Sequence, residues 1–365
     1  MKKLLVILSF LLFARPAQAA FTYRVVYTID NAQVPSTQTN FPVPIALNNA
    51  NFKTVANGGH VQNSSGFDIV PFTDAGLTTQ ITGCELEAYS GTAGTGVLWV
   101  NVASLSSSAP TLIHVGYGNS AISTNQCTTT STWDANYKAV HHFPNGATLS
   151  VTDSTSNGAN GTTAGSPTAT SGQLDGAIHL VSASSQYEWF QFINPAAMTI
   201  EAWVRATSFP DTYNAVISRS ETGAANFQLL VKSNGKLAAY LLASGSVNYD
   251  GTGTNTLSTG TWYHLAMAYD SSGGLRVYVN GSLDNSAAAN GTINTTAQLT
   301  SVGYDWYAAA RYWNGDIDEV RISDVARSAN YILTDKNSLT FGTLGSELLV
   351  GGMKPGTLVT LGAGR

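Results

Sequence analysis

Charge is scarce in this chain. Only 11% of its 365 residues are Asp, Glu, Lys or Arg, about half the ~25% usual in soluble domains, although the apolar share of 43% is ordinary. Low charge with ample apolar content excludes a long disordered chain, which needs the opposite balance. No basic run follows Lys3, so the sequence lacks the Lys and Arg density with which a nucleic-acid binder displaces counterions. A basic helix lying on a membrane surface is excluded for the same reason. After the first twenty residues no apolar run approaches the ~20 residues that span a bilayer. Catalytic signatures are missing too. There is no G-x-S-x-G elbow and no G-x-x-x-x-G-K-[ST] phosphate cradle. None of the six histidines (His60, His114, His141, His142, His179, His264) stands at H-x-x-x-H spacing. Strand-like segments do not alternate with helical stretches of ten or more residues, so a parallel α/β sheet is excluded.

What is abundant is Gly, at 35 residues, together with Ser, Thr and Asn. That composition suits antiparallel sheets joined by tight turns. At the amino end, Lys2 and Lys3 precede the ten-residue apolar stretch 4–13, and Ala17-Gln18-Ala19 follows. This is the pattern of a cleaved secretory leader over residues 1–19, and Arg15 and Pro16 stop the run too early for an anchor. The mature chain then carries 14 basic against 22 acidic residues. It is expected to be secreted or periplasmic, with no membrane insertion. In an exported protein the only two cysteines, Cys84 and Cys127, are expected to pair in a structural disulfide. The alternatives are two buried free thiols or a redox pair, although C-x-x-C spacing is absent.

The fold class expected is all-β, as two sandwiches. The first unit occupies residues 20–127. Its strands are expected at 23–29, 41–47, 67–70, 80–88, 96–102 and 111–117. Pro42 and Pro44 confine 41–47 to a sheet edge. Residues 128–132 (TTTST) read as a polar linker. The second unit runs from Trp133 to Leu339. Strands 198–206, 227–232, 236–242, 262–270, 275–279 and 316–322 are its clearest elements, and Asn234-Gly235 and Asn280-Gly281 are hairpin turns. A helical turn is expected near 325–333. The tail 340–365 has no clear periodicity and is expected to be partly ordered at best.

An ordered series of motifs carries a resemblance across 133–335. It begins with His141-His142-Phe143 and the loop Asp153 to Thr162. Ile200-Glu201-Ala202-Trp203-Val204, Trp262-Tyr263-His264-Leu265-Ala266 and Leu275-Arg276-Val277-Tyr278-Val279-Asn280-Gly281 follow. It ends with Trp313-Asn314-Gly315 and Ile317-Asp318-Glu319-Val320-Arg321-Ile322. In this order they resemble a laminin-G-like, concanavalin A-type jelly roll. Residues 21–127 are similar to the domain-of-unknown-function family 2341 through Tyr23-Arg24, Thr28-Ile29-Asp30, Asn40-Phe41-Pro42-Val43, Gly66-Phe67-Asp68-Ile69, Glu85-Leu86-Glu87, Trp99-Val100-Asn101-Val102 and Tyr117-Gly118-Asn119. The first resemblance implies a binding module for glycans, proteins or calcium more often than an enzyme; the second implies little about activity.

Three sites follow. The loop from Asp153 offers hard oxygen donors, and Asp153, Asn157, Asn160 and Asp318 form the expected set for a structural Ca2+, which takes 6–8 oxygens. The alternative is that Asp153 organises its own turn. Tyr304, Asp305, Trp306, Tyr307 and Arg311 form the expected ligand-binding group. Its rings would pack on sugar faces and its polar groups bond hydroxyls; the alternative is that the rings cap the core. Trp189 stands in a similar aromatic run. Last, Asp316 and Asp318 share one strand face, as do Glu85 and Glu87. Residues two apart on a strand are roughly 6.5–7 Å apart, a separation at which paired carboxylates can hydrolyse a glycosidic bond with inversion. Hydrolases of this sandwich type, however, present E-x-D-x-E, three acids on one face; here Val320 holds the third position, and by strict alternation Glu319 points away from Asp318. No catalytic residue is assigned. The expected function is therefore a secreted binding protein for a glycan or cell-surface polymer, with a structural or adhesion component contacting surface proteins as the alternative and a glycoside hydrolase behind it.

Overall fold

The computed structural model describes residues 21–144, 148–191, 195–221, 224–244, 247–250, 252–295, 297–307 and 311–350. The expected leader and the end of the tail lie outside them. Among the described residues the chain is all-β apart from one α-helix and short 3-10 turns, and it forms two β-sandwiches.

In the first sandwich, Tyr23–Ile29 lies between Thr111–Tyr117 and the late strands Gly342–Leu344 and Leu348–Leu349, with Val70–Phe72 beyond Thr111–Tyr117. The facing sheet is Gln38–Asn48, Thr95–Leu105 and Cys84–Ser90. Val25, Tyr27 and Ile29 alternate into the core against Phe41, Val43, Ile45 and Val100. Pro42 and Pro44 lie in Gln38–Asn48, which is an edge strand, where a missing N–H costs no ladder bond. Cys84 and Cys127 form the disulfide. The TTTST stretch is not a free linker. Thr129–Ser131 is a 3-10 turn, the Thr128 amide donates to Thr82 O, and Asn101 Nδ2 donates to Thr132 O at 3.0 Å.

The second sandwich packs an eight-stranded sheet on a seven-stranded one. The first runs in the order Ser282–Ala287, Gly274–Val279, Trp262–Asp270, Met198–Ala206, Gly315–Ser323, Gly176–Leu180, Thr168–Ser171, with Tyr137–His141 also on Gly315–Ser323. The second runs Val247–Asp250, Leu237–Ala243, Ala224–Lys232, Tyr213–Glu221, Thr300–Val302, Tyr187–Phe190, Thr162–Ala164. Met198, Ile200, Ala202 and Val204 face Phe227, Leu229, Val231 and Leu241 across one core. In the hairpin after Gly274–Val279, Asn280 and Gly281 have φ of 52° and 76°, the left-handed pair that a two-residue turn requires.

Two sequence expectations are corrected and one is extended. The turn expected near 325–333 is a helix, Ala329–Ser338, capped by Ser328 Oγ, which accepts from the Tyr331 amide at 3.1 Å. Ile332 seats it on Ala266, Ala268 and Tyr278 of the eight-stranded sheet. Within the described part of the tail, 342–344 and 348–349 are short strands that pair with Tyr23–Ile29 and close the first sandwich. Finally, Glu319 does not point away from Asp318. Met198–Ala206 pairs Glu201 with Arg321 but Trp203 with Asp318, so one extra residue is accommodated, and Glu319 adopts φ 52°. This bulge shifts the parity and turns Asp318, Glu319 and Arg321 to the outer face together.

The two outer faces differ. That of the eight-stranded sheet is closed by the first sandwich and the helix: Glu201, His264, Asp318, Glu319 and Arg321 are all buried there. That of the seven-stranded sheet carries half-exposed tyrosines and residues 304–307 and 311–312.

Candidate functional site

The expected ligand-binding residues come together on the outer face of the seven-stranded sheet. Gly303, at φ 81°, turns the chain out of Thr300–Val302. Ser218 Oγ then donates to Tyr304 O at 2.8 Å and holds the loop on the sheet. Asp305 is fully buried at the base of the loop. Its carboxylate accepts from Ser220 Oγ, from Gln228 Nε2 at 2.7 Å and from Arg311 NH1 at 2.7 Å. The Tyr307 amide donates to it at 3.2 Å. Arg311 in turn lies between two rings, 4.7 Å from Tyr213 and 4.8 Å from Tyr307. A buried carboxylate with a hydrogen-bonded cation is a rigid anchor, because breaking either partner strands the other.

Around this anchor the rings form a half-exposed floor. Tyr304 lies 4.8 Å from Tyr187, 4.6 Å from Tyr312 and 5.0 Å from Trp306, edge-on to the last. Trp306 also meets Tyr187 edge-on at 5.8 Å. Burial, then the neighbouring Tyr312, pushes the Tyr304 and Tyr187 hydroxyls above their usual range, so both remain donors at neutral pH. Tyr187, Tyr312, Tyr213, Gln228 and Ser220 were not among the expected residues. Their signal was faint: Tyr213, Gln228 and Tyr240 fall on one face of three neighbouring strands by period-two alternation. Trp189 stands on the same face of Tyr187–Phe190, half-buried and outside the ring cluster.

Of the residues expected to share calcium, Asp153, Asn157 and Asn160 lie in one hydrogen-bonded turn, and Asp318 is bonded elsewhere. Asp153 accepts four hydrogen bonds, from the amides of Val140, Thr155 and Ala159 and from Thr155 Oγ1, at 2.7–3.0 Å. Asn160 Oδ1 accepts from the Asp153 amide, and Asn157 Nδ2 donates to Tyr137 O. Asp318 Oδ2 accepts from the Gln173 and Leu174 amides. Donors converging on Asp153 are the field of a turn-organising carboxylate.

Glu85 and Glu87 of the first sandwich meet Asp318 and Glu319 of the second across the domain junction, whereas Asp316 is held apart by His179 and Arg205. Glu85 accepts from Trp133 Nε1 at 3.0 Å and Ser154 Oγ at 2.7 Å; Glu87 accepts from Trp99 Nε1 at 2.7 Å. His142 Nδ1 lies 2.8 Å from Glu319 and 3.7 Å from Glu87, while its Nε2 is 3.6 Å from Glu85. Arg321 bonds Glu319 at 2.6 Å and sits 4.9 Å over the Trp99 ring. Burial raises Glu87 to about 8, against the lowering effect of His142. Burial, then Glu319, pushes Asp318 well above the carboxylate range. His142 itself is held well above 6.5: burial opposes its charge, but the Glu319, Glu87 and Glu85 carboxylates outweigh it. Two grooves, of about 460 and 250 Å³, lie beside the first sandwich, one at this junction and one at the tail strands, and neither touches the aromatic floor.

Residues 183–333 match the family model of the concanavalin A-like lectin/glucanases superfamily. The second sandwich thus carries the jelly-roll fold its motifs imply. Among solved structures the chain is similar to domain 4 of AbnA, a GH43 extracellular arabinanase from Geobacillus stearothermophilus, in complex with arabinotriose (22% identity, TM-score 0.46, covering 55% of this chain and 98% of that one). It is also similar to the binding domain of Paraclostridial Mosquitocidal Protein 1 (16%, 0.47, 56% and 52%) and to the receptor-binding domain of botulinum neurotoxin type G (16%, 0.43, 56% and 51%). The matched region spans about half the length of these two toxin domains. No curated protein matches the chain.

Proposed function

We propose that this is an extracytoplasmic carbohydrate-binding protein that holds a glycan or cell-surface polymer on the floor formed by Tyr187, Tyr304, Trp306 and Tyr312. One observation carries the reading: half-exposed rings surround a buried, four-fold hydrogen-bonded Asp305 that fixes Arg311 between Tyr213 and Tyr307. Rings present an apolar face to the C–H side of a sugar, and tyrosine hydroxyls and the guanidinium edge offer hydrogen bonds to its hydroxyls. The superfamily description of residues 183–333, lectins and glucanases, supports the same class of ligand. Hydrolysis is less well supported. It needs two carboxylates open to substrate and water, yet Asp318 is 0% and Glu319 2% exposed under the first sandwich. Asp316 is tied to His179 at 2.6 Å and to Arg205 at 2.8 Å.

The test is binding of residues 20–365 to a panel of polysaccharides and cell-wall polymers, with Trp306→Ala alongside. Wild type should bind a defined glycan, and the variant should lose at least about tenfold in affinity, roughly 1.4 kcal/mol, while keeping a native circular dichroism spectrum. No binding by a folded wild-type sample to any glycan would sink the reading.

A further inference from the structure

Among the described residues, two groups of three metal-competent side chains bring their ligand atoms within 4.8 Å of one another: Glu87, His142 and Glu319 at the junction, and Glu201, His264 and Asp335 beneath the helix. In the first, His142 bonds Glu319 and Glu87 bonds Trp99, which leaves His142 Nε2 and Glu87 Oε1 without a partner. In the second, the three side chains stand apart from one another. His264 Nε2 stands 3.5 Å from Glu201 Oε2 and 3.6 Å from Asp335 Oδ2, beyond hydrogen-bond range. All three residues are 1–2% exposed. Both ring nitrogens of His264 and Oε2 of Glu201 are buried without a hydrogen-bond partner. Orphaned buried polar atoms are costly, and one explanation for them is an ion.

We propose that Glu201, His264 and Asp335 form a structural site for a first-row divalent cation, zinc foremost, that fastens the Ala329–Ser338 helix to the eight-stranded sheet. The spacing fits. Ligand atoms about 2.0–2.1 Å from a tetrahedral ion lie roughly 3.4 Å apart, close to the 3.5 and 3.6 Å that separate His264 Nε2 from the two carboxylates. The donor types fit: one imidazole and two carboxylates suit zinc, whereas calcium takes 6–8 oxygens. The second shell fits as well. Arg321 NH1 bonds Asp335 Oδ1 and leaves Oδ2 turned to His264, the outer-shell orientation that metal carboxylates usually have. An imidazolium between the two carboxylates is the competing account; its Nε2–H reaches them only at 3.5 and 3.6 Å, and its Nδ1–H has no partner. A neutral ring on the ion through Nε2 leaves only the Nδ1–H unbonded, and it satisfies Glu201 Oε2. The three ligands come from two neighbouring strands, Met198–Ala206 and Trp262–Asp270, and from the helix, so the ion would join three segments distant in sequence.

The experiment uses residues 20–365 with the disulfide intact, unfolded and refolded in EDTA, then given Zn2+, Ca2+ or no metal and passed through gel filtration. The site predicts about one retained zinc ion per chain by elemental analysis, a higher Tm with zinc than with EDTA, and neither effect with calcium. His264→Gln and Glu201→Gln should each abolish retention. Because replacing a buried residue risks unfolding, refolding of the wild-type chain with Co2+ is a second arm: intense visible d–d bands of a four-coordinate ion support the site. Retention below about a tenth of an ion per folded wild-type chain overturns it. So does zinc held equally by both folded variants, or cobalt showing only its pale aqueous spectrum.

Discussion

Asp305 shows how a single residue fixes a surface. Its carboxylate has no exposed area, and four donors from two strands and its own loop converge on it. Asp305→Ala would leave Gln228 and Arg311 facing a void, and losing one partner of a buried pair costs about 3–5 kcal/mol. Arg311 is 17% exposed, so water recovers part of that, and about 2–3 kcal/mol is expected in urea denaturation. Asp305→Asn, which keeps the shape and one acceptor, should cost less and retain more glycan affinity. An equal loss from both variants would contradict an electrostatic anchor. The five residues expected from one short stretch do meet here, because a loop places sequence neighbours together whatever the fold does. Their partners Tyr187, Tyr213 and Gln228 arrive from other strands, and single-chain alternation marks them only as outward-facing.

At the scale of elements, turns were more legible than parity. Asn280-Gly281 announces its hairpin through the residue pair that tolerates left-handed backbone, and the structure places both there. Gly281 does a second job that the dipeptide does not reveal: a Cβ at this position would lie 2.8–2.9 Å from Leu333 of the helix. Gly281→Ala therefore strains the turn and pushes on the helix at once. We expect a loss of about 1–3 kcal/mol, with faster amide exchange over 329–338 than in the rest of the sheet. Unchanged protection of the helix would show that turn and helix are not coupled. Parity failed at Glu319 because a bulge has no sequence mark when the left-handed residue is neither Gly nor Asn. The acids of Gly315–Ser323 consequently look split between two faces in the sequence, although three charged groups share one.

For the whole molecule, the sequence suggests two units joined by a polar linker, but the structure joins them through buried charge. Glu85 and Glu87 of the first sandwich face His142, Asp318, Glu319 and Arg321 of the second, walled by Trp99 and Trp133. Charged residues on strands read as surface, so nothing in either segment alone foretells the contact. Its pH dependence follows from the shifts. Unfolded Glu87 gives up its proton near 4.5, whereas in the fold it keeps it to about 8. Over that interval the folded state binds the extra proton, so stability falls as pH rises. His142 acts in the same sense: its pKa is raised by the surrounding carboxylates, so its contribution is complete below 6.5 and is lost as pH climbs through the folded value. Both groups thus weaken the junction toward alkaline pH. Tm of residues 20–365 should decline from about pH 6 to pH 9 in a single transition that includes both sandwiches. Glu87→Gln keeps an acceptor for Trp99 Nε1 while removing the titration, so its Tm should be flatter across the same range and should exceed wild type at the alkaline end. A wild-type Tm that rises over this interval, or a glutamine variant with an undiminished slope, would mean that the charges at the junction do not govern the docking of the two domains.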